Sequence, residues 1–161
     1  LHGFATDGSA WTTVKFGTLI NRFDVLAAAV VQTTQNEYAP NAIMINPSDY
    51  LQLVSTKENT GSYILPTYVT MSAGQMFILG VPVYAINGVV AGDFFVGDFA
   101  LGSQLFVRQG VTLEFFEQDA DNVTKNFVTV RVEERIAFAV YNSKALVYGN
   151  FAAALANGSA A

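Results

Sequence analysis

Cysteine is absent from this 161-residue chain. That excludes disulfide staples, thiol nucleophiles and cysteine-held zinc, and says little about compartment. Histidine occurs once, as His2 at the chain end. A Ser-His-Asp arrangement would hang on that one terminal residue. Charge is scarce as well. Charged residues make up 13%, about half the usual share near 25%. The eight basic residues are scattered and the net charge is −5, so nothing signals a nucleic-acid groove. Long apolar runs are also missing. Runs such as Ala27–Val31 and Ile136–Tyr141 fall far short of the roughly 18 residues a membrane helix needs. No signal-peptide pattern is visible. The chain opens Leu1-His2 without a Met, and reads as a processed product or a fragment of something longer.

What is present is apolar. Hydrophobic residues reach 52%, with a mean hydropathy of +0.34. So little charge does not cover a soluble monomer, and extensive subunit contact is the expected cover. The length predicts one domain or two small lobes with a core that needs no staples.

One segment stands out. Phe127–Tyr141 alternates without Gly or Pro. One face carries Val128, Val130, Val132, Glu134, Ile136, Phe138 and Val140; the other carries Thr129, Arg131, Glu133, Arg135, Ala137 and Ala139. At about 3.3 Å per residue it would reach roughly 45 Å. A compact chain of this length has a diameter near 40 Å. The run therefore crosses the molecule or bends at Glu134, and its apolar face is expected to be core. A strand of that length suits a plate or lattice.

The rest gives a coarse map. Asn21–Tyr38 is helical, with Phe23, Leu26, Ala27, Val30 and Thr34 at i, i+3, i+4, i+7 spacing. Asn21 caps it, Asp24 adds an anion to its first turn, and Pro40 stops it. Residues 41–46 form a short strand. Asn46-Pro47 opens a second helix near 47–56, with Asn as cap, Pro at the first position, and Tyr50, Leu51 and Val54 as its apolar side. Residues 63–80 are ambiguous. Val81–Ile86 reads as a strand, with Pro82 placing it at an edge or a strand start. Asn87-Gly88 is a turn. Asp93–Gly97, Ser103–Arg108, Thr112–Gln118 and Ala145–Tyr148 read as strands, with a tight hairpin at Gln109-Gly110. Asp119–Asn126 is a polar loop and the tail 152–161 is frayed. The period switch from 3.6 to 2 along the chain makes the fold class α+β.

Catalytic patterns are wanting. Gly-x-Ser-x-Gly, Gly-x-Gly-x-x-Gly, Walker and His-Glu-x-x-His sequences do not occur. Asp119-Ala120-Asp121-Asn122 resembles the start of a calcium loop, but Thr124 stands where the sixth-position Gly belongs. Glu133 and Glu134 point to opposite strand faces and cannot act as a glycosidase pair. The Asn122-Val123-Thr124 and Asn157-Gly158-Ser159 sequons are best read as chance. Arg131, Glu133 and Arg135 place alternating charges about 7 Å apart on one strand face. They are either a solvated face with weak ion pairs or a ladder that fixes register against a neighbouring subunit.

The ordered set of Asn-Ala-Ile-Met-Ile-Asn-Pro at 41–47, Gly-Ser-Tyr at 61–63, Leu-Gly-Val-Pro-Val at 79–83, Ala-Gly-Asp-Phe-Phe-Val-Gly-Asp-Phe at 91–99, Arg108-Gln109-Gly110 and Arg131-Val132-Glu133-Glu134-Arg135 resembles the major capsid proteins of tailed phages, the Hong Kong 97-type fold. The match runs from Asp24 to Tyr148. The resemblance implies an axial lobe with a central sheet and flanking helices over 24–118. It implies a peripheral lobe built on the long β-ribbon from 1–23 and 119–151, and a flexible tail at 152–161. It implies a structural subunit that self-assembles as pentamers and hexamers into an icosahedral shell. Packaged DNA would be met only indirectly, with no cofactor, membrane, small-molecule substrate or enzymatic activity. The chain would reside in the virion, after assembly in the bacterial cytoplasm. Arg131, Glu133 and Arg135 become candidates for inter-subunit contact. The family's N-terminal arm, extended loop and spine helix find no counterpart here, so their functions do not transfer, and the chain alone is expected to fold without closing shells.

Two rivals stand beside this reading. An encapsulin-type compartment shell shares the fold and encloses enzymes. An unrelated small α+β hydrolase is the other, and an activity screen separates it.

Overall fold

The computed structural model describes residues 9–11, 21–57, 63, 65–117 and 122–158. Their elements, in order, are β1 (Ser9–Ala10), α1 (Arg22–Gln35), β2 (Ala42–Ile45), α2 (Pro47–Val54), β3 (Val69–Ser72), β4 (Gln75–Ile78), β5 (Val81–Ala85), β6 (Asp93–Gly97), α3 (Phe99–Gly102), β7 (Ser103–Phe116), α4 (Asn122–Lys125), β8 (Thr129–Val140), a 3-10 turn (Ser143–Ala145), β9 (Leu146–Asn150) and α5 (Phe151–Gly158). The chain divides into two compact units, Leu1–Ser103 with Val140–Ala161, and Gln104–Ala139. Both helix and sheet are present, as the change of period predicts.

The larger unit is built on a seven-stranded sheet in the order β1-β9-β6-β2-β5-β4-β3. Strand β2 lies inside it, parallel to β5 and antiparallel to β6. Pro82 is the second residue of β5, just before Val83, where pairing with β2 begins. A residue without an N–H thus sits where β2 asks for none, so the strand-start reading holds and the edge reading does not. The ambiguous stretch before it resolves into a β3–β4 hairpin, with Val69 opposite Ile78. Its chain reversals at Gly74 (φ +80°) and Gly80 (φ +82°) use the left-handed region that glycine enters freely.

Helix α1 starts where its sequence says. The Asn21 side chain accepts from Asp24 N–H, and Asp24 accepts from Asn21 N–H, each at 3.0 Å. This closed capping box satisfies two donors the helix cannot. The Asp24 carboxylate also accepts from the Tyr68 hydroxyl at 2.6 Å. Burial first, then this bond and the carboxylate charge, raise the Tyr68 pKa well above the ordinary phenol value. Helix α1 buries Phe23, Val25, Leu26, Ala28, Ala29, Val30 and Thr33. The stripe is wider than spacing predicts, and Thr34 is exposed where Thr33 is buried.

Helix α2 has the expected Asn46 cap, which accepts from Ser48 N–H at 3.0 Å. Its buried face differs from the expected one. Asp49 and Leu53 are buried, and Leu51 (66% exposed) and Val54 (41%) face out. Eight residues carry too few apolar positions to define a stripe, and an ion pair turns the helix. The Asp49 carboxylate takes Arg22 Nη1 at 2.8 Å and Gly92 N–H at 2.6 Å.

Strand β6 divides the core by alternation. Phe94 and Val96 join α1, β2, β4, β5 and α5 in the main cluster. Phe95 points to the other face, with Val89, Ala145 and Leu146. Asp93 and Asp98, alike in sequence context, do different work. Asp93 accepts from Asn150 Nδ2, and Asp98 caps α3 through Ala100 and Leu101 N–H.

The C-terminal tail is a correction. Residues 151–158 form α5, with Phe151 and Ala154 buried. The Phe151 ring lies 4.9 Å from that of Phe94. Alanine is the best helix former, and the Asn150 side chain caps the helix through Ala152 and Ala153 N–H. Strand β9 pairs with β6 from Gly97↔Leu146 to Asp93↔Asn150. Residues 140–158 therefore group with the larger unit, whereas the resemblance had put all of 119–151 in the ribbon's lobe.

Candidate assembly surface on the two-stranded ribbon

The unit Gln104–Ala139 consists of β7 and β8 as a two-stranded sheet, with α4 between them in sequence. Strand β7 corrects another expectation. It runs unbroken from Ser103 to Phe116 through Gln109-Gly110. Gly110 has no positive φ, so it does not turn the chain. A hairpin needs two strands that pair with each other; here the segment is one strand whose partner in the sheet is β8. Residues 122–125 are helical, where a loop was expected.

Strand β8 runs without a break from Thr129 to Val140, past Glu134. Its two faces alternate as read. Their environment differs from the expectation. Val128, Val130, Val132, Ile136 and Phe138 are all large and exposed, between 45% and 61%. Val140 alone of the proposed core face packs into a cluster of the larger unit. The reason is the strand count. A two-stranded sheet carries no second layer on its apolar face, and periodicity reports which side chains share a face, not what lies over it.

Arg131 fixes which faces coincide. Its Nη2 lies 2.6 Å from Glu114 Oε2 on β7, its Nε lies 3.3 Å from Glu133, and its guanidinium sits 5.2 Å from the Phe116 ring. Even-numbered side chains of β7 therefore share a face with odd-numbered ones of β8. That face holds Glu114 and Phe116 with Arg131, Glu133 and Arg135. By the same parity Leu113 and Phe115 share the opposite face with Val130, Val132, Ile136 and Phe138, and all six are exposed, as are Leu105, Phe106, Val107 and Val111 earlier in β7. Contiguous apolar patches beyond a few hundred Å² mark interaction sites on soluble proteins.

Within one copy the charged row is only partly paired. Arg131 and Glu133 pair along one strand. Arg135 has no ion-pair partner among the described residues. Glu114 was missed by sequence reasoning, because its place opposite Arg131 depends on strand register. Its position two residues from Phe116, at the parity of the β7 polar face, was the available signal.

Among the described residues no group of three His, Asp or Glu is placed to hold a metal. His2 and the calcium-like run at 119–121 lie outside the described residues. Among the described residues no helix is long and apolar enough to cross a membrane.

Known proteins resemble the chain in sequence and in fold. The sequence profile of the phage capsid family matches residues 1–151. The major capsid protein of Enterobacteria phage HK97 is 34% identical over 151 residues, 94% of this chain and 39% of that protein. The chain thus spans about two-fifths of that relative's length. Among solved structures, Gordonia phage Cozz superposes with a TM-score of 0.65 at 13% identity, covering 91% of this chain and 50% of that one. The capsid of a native GTA particle gives 0.61 at 18% identity, covering 92% and 55%. A virus-like particle from Pyrococcus furiosus gives 0.53 at 15% identity, covering 85% and 56%. These structures share the Hong Kong 97-type α+β architecture, here the seven-stranded unit with its helices and the separate ribbon. With a family profile covering nearly the whole sequence and the fold to match, the chain belongs to the phage capsid family.

Proposed function

We propose that this chain serves as part of a shell-forming capsid subunit whose partners are copies of itself, enclosing DNA in a virion after assembly in the bacterial cytoplasm. The observation that carries the reading is the ribbon. Exposed apolar side chains from both strands, Leu113 and Phe115 with Val130, Val132, Ile136 and Phe138, share one face, and a charged row lies on the other. Two strands with an uncovered apolar face are marginal alone in water; a neighbouring copy supplies the missing layer. The larger unit corresponds to the axial-type lobe and Gln104–Ala139 to the core of the peripheral-type lobe. Arg131, Glu133 and Arg135 contact a neighbour, with Arg135 offering the unspent charge. The role is structural, without catalysis, cofactor or small-molecule substrate.

The encapsulin-type alternative rests on the likeness to the Pyrococcus furiosus particle, whose TM-score is the lowest of the three. The test is purification of particles that contain this sequence, followed by nuclease protection and proteomics of the contents. Protected DNA supports the capsid reading. Particles filled with one enzyme and no DNA would replace it by the encapsulin reading. Carbodiimide cross-linking of the same particles should join peptides of 104–139 from different copies; links confined within single copies would remove the ribbon from the interface.

A further inference from the structure

We propose that Asn87 is a site of spontaneous deamidation, a chemical clock in the turn between β5 and β6. The inference is independent of shell assembly. It starts from a comparison of the asparagines. Asn21, Asn36, Asn41, Asn46, Asn142 and Asn150 all have side-chain amides committed to hydrogen bonds. Four of them, Asn41, Asn46, Asn142 and Asn150, use both amide atoms. Asn87 is exposed and its amide bonds to nothing among the described residues. Asn126 is likewise unbonded and exposed, but bulky Phe127 follows it. Asn87 is followed by Gly88, the residue that least obstructs ring closure, and Gly88 N–H has no acceptor among the described residues.

The chemistry needs only water. The Gly88 backbone nitrogen, deprotonated by hydroxide, attacks Cγ of Asn87. A C–N bond forms, the Cγ–Nδ2 bond breaks, and ammonia leaves with a proton from solvent. The five-membered succinimide then takes up one water at either carbonyl. Opening at one gives aspartate, and opening at the other gives isoaspartate, which routes the main chain through the former side chain. Both products add a negative charge.

The location gives the change a consequence. The turn is closed by Val89 N–H to Ile86 O at 3.1 Å, and the Val89 side chain is buried at 1% exposure. The Val89 carbonyl accepts from Asn46 Nδ2 at 2.7 Å, tying the turn to the cap of α2. An extra backbone methylene two residues earlier pulls on that anchor, whereas simple Asn-to-Asp conversion does not.

The experiment ages the purified chain in mildly alkaline water enriched in oxygen-18 and maps peptides by mass spectrometry. The new carboxylate oxygen carries the label, which separates conversion during the experiment from earlier damage. The expected result is loss of the Asn87 amide ahead of every other asparagine in the folded chain, with a labelled isoaspartyl peptide. Asn157-Gly158 is the internal control. Its backbone lies in α5, and helical geometry in general disfavours ring closure onto the following nitrogen; it should lag in the folded chain and match Asn87 in denaturant. A Gly88→Ala substitution, compatible with a φ outside the left-handed region, should slow the conversion. Equal or faster loss at Asn157 or at any capping asparagine in the folded chain, or an unchanged rate in Gly88→Ala, overturns the proposal.

Discussion

Arg22 and Asp49 join the first turns of two helices through a nearly buried ion pair, Nη1 to Oδ1 at 2.8 Å. The Arg22 side chain is 27% exposed and that of Asp49 3%. The pair reaches further than two helices. The second Asp49 oxygen accepts from Gly92 N–H ahead of β6, and the Arg22 guanidinium lies 5.1 Å over the Phe151 ring of α5. Segments from four parts of the chain meet at one ion pair.

Removing that carboxylate should therefore destabilise the larger unit. Asp49→Ala leaves a guanidinium and a backbone N–H without their acceptor, at a cost of about 2–4 kcal/mol. Asp49→Asn keeps an acceptor for Gly92 and should lose less, about 1–2 kcal/mol. Urea titration of the three proteins measures the order. If Asn proved as damaging as Ala, the charge rather than the Gly92 bond would be the whole contribution.

Gly97 and Gly110 should respond oppositely to alanine. A Cβ at Gly97 would meet the Ala145 carbonyl oxygen and approach Leu146 Cα to 2.9 Å. Both are backbone or nearly so, and neither can yield without moving β9. Gly97→Ala is expected to lose about 1–3 kcal/mol, the usual range for overpacking. A Cβ at Gly110 meets nothing within 4 Å. Gly110→Ala should be neutral or slightly stabilising, since it removes freedom from the unfolded chain. A large loss at Gly110 in thermal melts would mean that the residue turns the chain after all.

Stability should fall on the alkaline side because of Tyr68. Its folded-state pKa is raised by burial and by Asp24. Above about pH 10 the unfolded chain releases this proton and the folded chain still holds it. The folded state then binds more protons, so its stability declines as pH rises, and the contribution is complete only below that value. Tyr68→Phe should remove this part of the decline while losing about 1 kcal/mol near neutrality for the hydrogen bond. An unchanged alkaline limb in the phenylalanine variant would assign the decline to other tyrosines.

On the ribbon, Arg131→Glu should change folding by less than about 1 kcal/mol, because the Arg131–Glu114 pair is open to water and salt. Under the proposed assembly role it should reduce self-association far more than melting temperature. Arg135→Glu should do the same with little intramolecular loss, having no ion-pair partner among the described residues. The double exchange Arg131→Glu with Glu114→Arg restores the pair within one copy. If it also restores association measured by light scattering, the pair serves the ribbon's internal register; if not, Arg131 meets a neighbouring copy.

The sequence alone determined the features whose physics is local. Asn21 with Asp24, and Asn46 with Pro47, announce helix starts because a cap is satisfied within three residues of itself. The long alternating run announces a strand because side-chain direction repeats every second residue. The ordered motifs placed the fold within a family. Tertiary structure decided whatever rests on residues far apart in the chain. Gln109-Gly110 reads as a turn, yet β7 runs through it as one strand because its partner is the distant β8. The Ala-rich tail reads as frayed until Phe94 and the Asn150 cap receive it. Leu51 and Val54 read as core until Arg22 and Gly92 hold Asp49 inward. Glu114 becomes the partner of Arg131 only through cross-strand register. Most telling is the apolar face of β8. Alternation groups Val130, Val132, Ile136 and Phe138 correctly, yet burial depends on a second layer, and the described chain supplies none there.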